Sequence, residues 1–229
     1  MTSSRQFILD RVRAAKKDML ASTDAALAAE RIQRHPINLV PTRGNLNKDA
    51  RLALFKEEAE KVNASVVQVS SADQIPQEVA RFLKESNIPA KIKLAPRLKN
   101  LPWSTTLLET DTGIADGDDA VSVTSAFAGV AETGTLVTIS GADTPTTLNF
   151  LPLTNIAIVE ADKIYGDYER AFAKLRQQNP GKQAPSDYMP RTLSFITGPS
   201  RSADIEQTLL LGAHGPQRLH IIIVNDELP

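Results

Sequence analysis

Short β-branched apolar runs separated by helix-period segments are the feature that most narrows the folds open to this chain. Residues 65–69, 91–94, 120–124, 134–139, 156–160, 193–197 and 219–224 each read as a strand. Between them, residues 48–63 set Leu52, Phe55, Ala59 and Val62 on one helical face, and residues 74–86 do the same with Val79, Phe82 and Leu83. Residues 165–177 and 204–211 also follow a helical pattern. Short apolar strands alternating with helices argue for an α/β domain around a largely parallel sheet. Residues 96–102 and the Pro- and Gln-rich stretch 179–190 read as loops, and no internal repeat interrupts the pattern.

Ahead of this domain, residues 3–33 look helical. Phe7, Ile8, Val12, Ala15, Met19 and Leu20 recur at spacings of three and four, giving an apolar stripe on a charged cylinder. The alanine-rich continuation, residues 25–32, has few large apolar side chains. It either docks on another subunit or partner, or folds back on its own domain. His35-Pro36 and the stretch from Pro41 to Gly44 punctuate the chain. The expected organisation is therefore a helical arm over residues 1–45 and an α/β domain over residues 46–229.

Composition removes several classes of function. At 41% hydrophobic and 23% charged residues over 229 positions, this is an ordinary globular chain. It has no cysteine, which excludes disulfides, a catalytic thiol, and a thiolate-bound zinc or iron–sulfur centre within the chain. A net charge of −1 and 5% aromatic residues offer nucleic acid neither electrostatic attraction nor stacking surfaces. No apolar run approaches the ~20 residues of a membrane-spanning helix. The basic N-terminus lacks the apolar core of a secretory signal, so a cytoplasmic protein is expected.

Three segments are able to carry chemistry. In residues 126–135, Glu132 stands beside the hydroxyls of Thr133 and Thr135, with Gly129 and Gly134 allowing close backbone approach. Such a carboxylate can act as a base, orient a ligand or bind a hard cation; from composition alone, a solvated turn is the simpler reading. In residues 193–206, strand, turn and helix start follow one another. Gly198 and Pro199 form the turn, and Asp204 with Gln207 resembles a capping box. Arg201 near free helix N–H groups suits an anion; the alternative is a helix cap with a solvated arginine. In residues 211–216, Gly212 suits the left-handed position after a helix, and His214 between small residues can line a cleft or shuttle a proton. His35 and His220 have no metal-ligand spacing. The cluster Asp116, Asp118, Asp119 lacks the rest of a calcium loop and reads as a solvated turn. The polar, turn-rich residues 144–152 are able to supply hydroxyl or amide contacts to a ligand, or to start a helix.

Residues 131–137, 152–159, 197–206 and 212–216, in this order, resemble the LUD domain, and more specifically the lactate-utilization protein C family. The resemblance covers roughly residues 46–229 and is sharpest from about 115 onward. It implies a three-layer fold similar to the ribose-5-phosphate isomerase and CoA-transferase group, with a largely parallel sheet and helices on both faces. It also implies a role in oxidising L-lactate to pyruvate beside cysteine-rich and iron–sulfur partner proteins. This chain would be a non-redox subunit without a cofactor of its own, rather than a stand-alone enzyme. The family's motif positions correspond here to Glu132, Thr133, Gly134 and Thr135, then Gly198, Ser200, Arg201, Asp204 and Glu206, with His214 beside them. Ser202 stands where family members often have threonine.

In such folds, ligands gather at the carboxyl ends of the strands. The expectation is thus one cleft there for a small carboxylate or phosphate, with Arg201 and helix N–H groups holding the anion and Glu132 orienting it or accepting a proton. A cyclo-ligase- or transferase-like enzyme of the same fold group, a regulatory scaffold, and homo-oligomer formation stay open.

Overall fold

The structure, a computed structural model, describes residues 4–19, 22–37, 40–178, 189–203, 209–212 and 214–228. It forms two compact units, Met1–Val40 and Pro41–Pro229. In the first, the long N-terminal helical pattern falls into two helices, α1 (Ser4–Met19) and α2 (Ser22–Arg34).

The second unit opens with α3 (Lys48–Lys61), whose first turn is capped by the Asn47 side chain accepting from Ala50 N at 2.9 Å. Then follow β1 (Ser65–Val69), α4 (Ile75–Glu85), β2 (Lys91–Leu94), β3 (Glu109–Thr112) and β4 (Val121–Ser125). The chain continues through β5 (Ala128–Val130), β6 (Thr135–Ile139), β7 (Thr154–Glu160), β8 (Ile164–Tyr165) and α5 (Tyr168–Gln177). It ends with β9 (Leu193–Ile196), β10 (Arg201–Ala203), β11 (Leu209–Leu211) and β12 (Arg218–Val224).

Six strands form one sheet in the order β1-β12-β7-β4-β2-β3, and every neighbouring pair is parallel. Every residue of β4 and β7 is buried, and β12 is buried after Arg218, as befits parallel strands covered on both faces. The period of two divides them between two cores. Ile156, Ile158, Ile222 and Val224 pack with Ile75, Val79 and Leu83 of α4, whereas Ala157, Val159, Ile221 and Ile223 pack with Leu52, Phe55 and Ala59 of α3. Helices thus cover both faces of a parallel sheet, as the alternation predicted.

Three features depart from the sequence reading. The α3 face also carries a second sheet, β8-β5-β6-β9, with α5 packed on it through Ala171. Residues 209–211, expected at the end of a helix, are instead a strand: β10 and β11 form an antiparallel pair, with Arg201 opposite Leu211. Leu209-Leu210-Leu211 is an unbroken apolar run, and such runs fit a strand as well as a helix. The expected capping box, Asp204 with Gln207, lies outside the described residues. Finally, the second unit takes in residues 41–45, where Gly44 is buried and Asn45 Oδ1 accepts from Arg170 at 3.0 Å.

A buried polar cluster ties α4 to the sheet. His220 of β12 is aligned with Ser65 of β1; its Nδ1 lies 2.7 Å from Ser65 Oγ, and its Nε2 lies 3.2 Å from Glu78 Oε1 of α4. Phe82 stacks on the imidazole with centroids 4.0 Å apart. With Glu78 ionised, Nε2–H donates to it and Nδ1 accepts from the serine hydroxyl. Burial drives the imidazole down to about 4 against the pull of Glu78, so the ring is neutral at neutral pH. Glu78 itself is pushed up by desolvation, but the Arg81 hydrogen bond and the Arg81 and His220 charges outweigh this and hold it below its ordinary value.

The unfolded chain protonates this histidine below about 6.5, the folded chain only near 4. The unfolded state therefore binds more protons in that window, and stability falls as pH drops through it, by ~3 kcal/mol in full. Urea denaturation between pH 7 and 4 should show this slope, and His220→Gln should flatten it. At the turn between β5 and β6, Gly134 has φ +61°, and a Cβ there would lie 2.2 Å from the Ala59 amide nitrogen of α3. Gly134→Ala should cost more than ~2 kcal/mol in the same denaturation experiment.

Candidate functional site

The polar side chains singled out in the sequence fall into two neighbouring groups. The first lies in a cleft of about 410 Å³ lined by Gly198, Ser200, Arg201, His214, Thr197 and Asn149, among others. Its walls come together at the amino edge of the parallel sheet. Residues 214–216 lead directly into β12, and residues 149–150 precede β7. Ser200 N donates to Pro216 O at 2.8 Å, and Gln217 N donates to Leu153 O at 2.8 Å, which fixes the two segments to each other and to the strand starts. Gly198 has φ +74°, and a Cβ there would meet Val62 O at 2.4 Å, so only glycine lets the turn lie against the end of α3. Arg201 Nη2 donates to the same Val62 carbonyl at 3.0 Å. His214 is exposed, and its backbone N–H donates to Ser200 Oγ at 3.4 Å.

Asn149 reaches this cleft because the segment before β7 is pinned from beneath. Ser122 Oγ of β4 donates to Leu148 O at 2.6 Å, and Asn155 Nδ2 of β7 donates to Ser122 Oγ at 3.0 Å and to Leu148 O at 3.3 Å. Leu148 is fully buried, and Asn149 is only 6% exposed. Its Oδ1 is buried with no hydrogen-bond partner. A buried acceptor left unpaired costs about 1–3 kcal/mol, so it is a ready partner for a ligand donor.

The second group is the turn Ala131–Thr133 and the start of β6. Glu132 is buried, not solvated; its backbone N–H donates to Gly166 O at 3.2 Å. Arg43 Nε lies 3.5 Å from its Oε2, too loosely to satisfy that oxygen, which keeps no hydrogen-bond partner. Thr133 Oγ1 and Thr135 Oγ1 are 2.7 Å apart, and each lies 3.0 Å from the Tyr168 hydroxyl. Thr135 Oγ1 also lies 2.7 Å from Thr197 Oγ1, which lines the cleft. A chain of hydroxyls thus runs from the turn to the cleft, while Glu132 itself is not among the cleft's lining residues. The structure therefore brings Gly198, Ser200, Arg201 and His214 together, sets Glu132, Thr133, Gly134 and Thr135 behind them, and puts the cleft at the amino edge rather than the expected carboxyl edge. Asp204 and Glu206 lie outside the described residues.

Sequence reasoning passed over a second cleft, of about 370 Å³, at the carboxyl edge. Arg97, Ser125, residues 139–144 and Lys163 line it. Between the two cations sits Glu160, the last residue of β7, buried with Arg97 Nη2 at 3.4 Å and Lys163 Nζ at 2.8 Å. Their one signal in sequence is position, since each ends or closely follows a strand. Ser65, His220 and Glu78 have the composition of a nucleophile, base and carboxylate, but none lines a described cleft, and they act as the strut described above. Among the described residues, no group of three His, Asp or Glu is placed to hold a metal ion, and no helix is long and apolar enough to cross a membrane.

The parallel α/β unit with polar clefts at both edges of its sheet is of the LUD-domain class: residues 118–224 match the LUD domain. Lactate utilization protein C of Bacillus subtilis is 30% identical over 198 residues, covering 78% of this chain and 80% of that protein. The protein of the same name from Bacillus licheniformis is 36% identical over 125 residues, 54% of this chain and 50% of that one. The Geobacillus sp. (strain WCH70) protein of that name is 39% identical over 106 residues, 46% of this chain and 42% of that one. With these last two, the match spans half or less of the relative's length. A crystal structure of a DUF162 family protein from Deinococcus radiodurans has the same fold, with a TM-score of 0.54 at 22% identity, covering 78% of this chain and 99% of that one. The chain belongs to the lactate utilization protein C family of LUD-domain proteins.

If the Thr135 hydroxyl holds the turn to the cleft, Thr135→Val should disturb the cleft lining without opening the core. The expected result is an altered chemical shift for the His214 ring in NMR spectra, with a melting temperature close to that of the unmodified chain.

Proposed function

We propose that this chain is a non-redox subunit of a cytoplasmic multi-protein system that oxidises L-lactate to pyruvate, and that it binds a small hydroxy-carboxylate in the amino-edge cleft. The names of its relatives support the lactate assignment. With no cysteine in the chain, thiolate-bound iron–sulfur clusters must come from cysteine-rich partner proteins.

The observation that carries the ligand class is the unpartnered Oδ1 of Asn149 in the same cleft as Arg201, Ser200 and His214. A 2-hydroxy acid presents a carboxylate, which a guanidinium binds with charge-assisted hydrogen bonds, and a hydroxyl, which needs an acceptor. Arg201 and Asn149 are that pair. A 2-oxo acid lacks the donor and leaves Asn149 unpaired, so the cleft favours the reduced form. Glu132 enters through its unpartnered Oε2, a buried proton acceptor next in chain to Thr133, where the hydroxyl chain begins.

The test is lactate-dependent reduction of an electron-accepting dye by the iron–sulfur partners, with and without this chain. Activity should require the chain, and Arg201→Ala should lower it about ten- to a hundredfold, the worth of one charged hydrogen-bonding partner. Glu132→Gln should also lower it. Calorimetry on the isolated chain should show L-lactate binding more tightly than pyruvate, with the preference lost in Asn149→Leu. Full dye reduction without the chain would remove it from the oxidation.

A further inference from the structure

We propose that the carboxyl-edge cleft is a second, separate binding site, for the phosphate or carboxylate group of a small molecule held by Arg97 and Lys163. The topology opens a crevice there. From β2 the chain proceeds to β3 on the outer side, whereas from β4 it proceeds, through the second sheet, to β7 on the other side. The turns that leave the adjacent ends of β2 and β4 therefore diverge. Such a switch point leaves the space between them unfilled by either connection. Arg97 lies on the turn after β2, and Ser125 is the last residue of β4. The volume, about 370 Å³, is that of a small-metabolite site.

The charges fit an anion. Glu160 is one buried carboxylate serving two cations, so these three groups together carry one positive charge before Asp143 is counted. The side chains of Arg97 and Lys163 remain 38% and 34% exposed, so neither is closed off from solvent. Arg97 Nε is buried and has no hydrogen-bond partner, and its bond from Nη2 to Glu160 is long at 3.4 Å. One long bond uses little of the guanidinium, and its two Nη groups keep donors for an acceptor in the cleft. Ser125, buried at the end of β4, adds a hydroxyl to the lining. Asp143 is the opposing charge on the lining, and it is exposed, where water screens it. Asp162, beside Lys163 in sequence, is engaged by Lys48 Nζ at 2.6 Å. Asp226 and Glu227 line a different, smaller recess and not this cleft.

The experiment is calorimetric titration of the full chain at low ionic strength with inorganic phosphate and, separately, with acetate as a simple carboxylate. At least one should bind saturably. Arg97→Gln should weaken that binding about ten- to a hundredfold. Because this change also removes a partner of Glu160, Ala142→Trp provides a second probe: Ala142 is exposed on the cleft lining, and the indole would fill the space without touching the core. Its melting temperature should be unchanged and its binding abolished. Each titration is run in the Arg201→Ala background, which removes the guanidinium of the other cleft so that anions held there do not contribute. Phosphate binding alone points to a phosphate ester, and acetate binding alone to a carboxylic acid. Failure of the folded, unmodified chain to bind either probe overturns the proposal. So does binding in the Arg201→Ala background that survives Ala142→Trp. None of these outcomes bears on lactate-dependent dye reduction, so this site and the proposed function stand or fall separately.

Discussion

Three adjacent parallel strands, β4, β7 and β12, are buried along nearly their whole length, and the rest of the molecule is arranged to satisfy them. A strand buried on both sides needs an apolar layer above and another below. Here α4 supplies one, and α3 with the second sheet supplies the other. Because all neighbouring pairs are parallel, the chain must return over a face of the sheet between strands. Its turns are forced to the two edges, and the polar chemistry collects there.

Several of the polar groups inside this apolar sandwich are paired with one another. Asn155 bonds to Ser122, Thr124 and the Leu148 carbonyl, and His220 is held between Ser65 and Glu78. These pairs cost little once made, and they fix which segment lies over which strand. Asn149 and Arg97 differ. Each is anchored by its neighbours yet keeps a buried polar atom without a partner, and each stands at a cleft. Those two atoms carry the proposals for the two clefts, because a buried polar group left unsatisfied costs free energy that a partner would recover.

Most of the main sheet was legible in the sequence. Residues 65–69, 91–94 and 219–224 have short apolar patterns that fit only a modest range of conformations, and each became a strand. The amphipathic stripes of α3 and α4 were equally plain, since their spacing of three and four is local. The second sheet was legible only in part: β6 and β9 read as strands at 134–139 and 193–197, whereas β5 and β8 have three and two residues, too short for any periodicity to register. The run Leu209-Leu210-Leu211 misled for a related reason, because its partner across the β10–β11 pair, and not its own pattern, makes it a strand. Of the candidate site, the grouping of Gly198, Ser200, Arg201 and His214 was readable as recurring motifs. Asn149 was visible only as part of a polar segment, and no motif or periodicity sets Arg97 and Lys163 apart.

The sequence by itself determined the class of fold, the absence of any thiolate chemistry, and the membership of the family, because periodicity, composition and motif order are properties of the chain read in one dimension. The tertiary structure alone decided which edge of the sheet each motif occupies, that Glu132 lies behind the cleft and not in it, and that two cations converge on Glu160. The physical reason is strand order. Residues 63 positions apart, such as Arg97 and Glu160, meet only because β2, β4 and β7 lie side by side, and that order is set by how the two cores pack, not by any local signal.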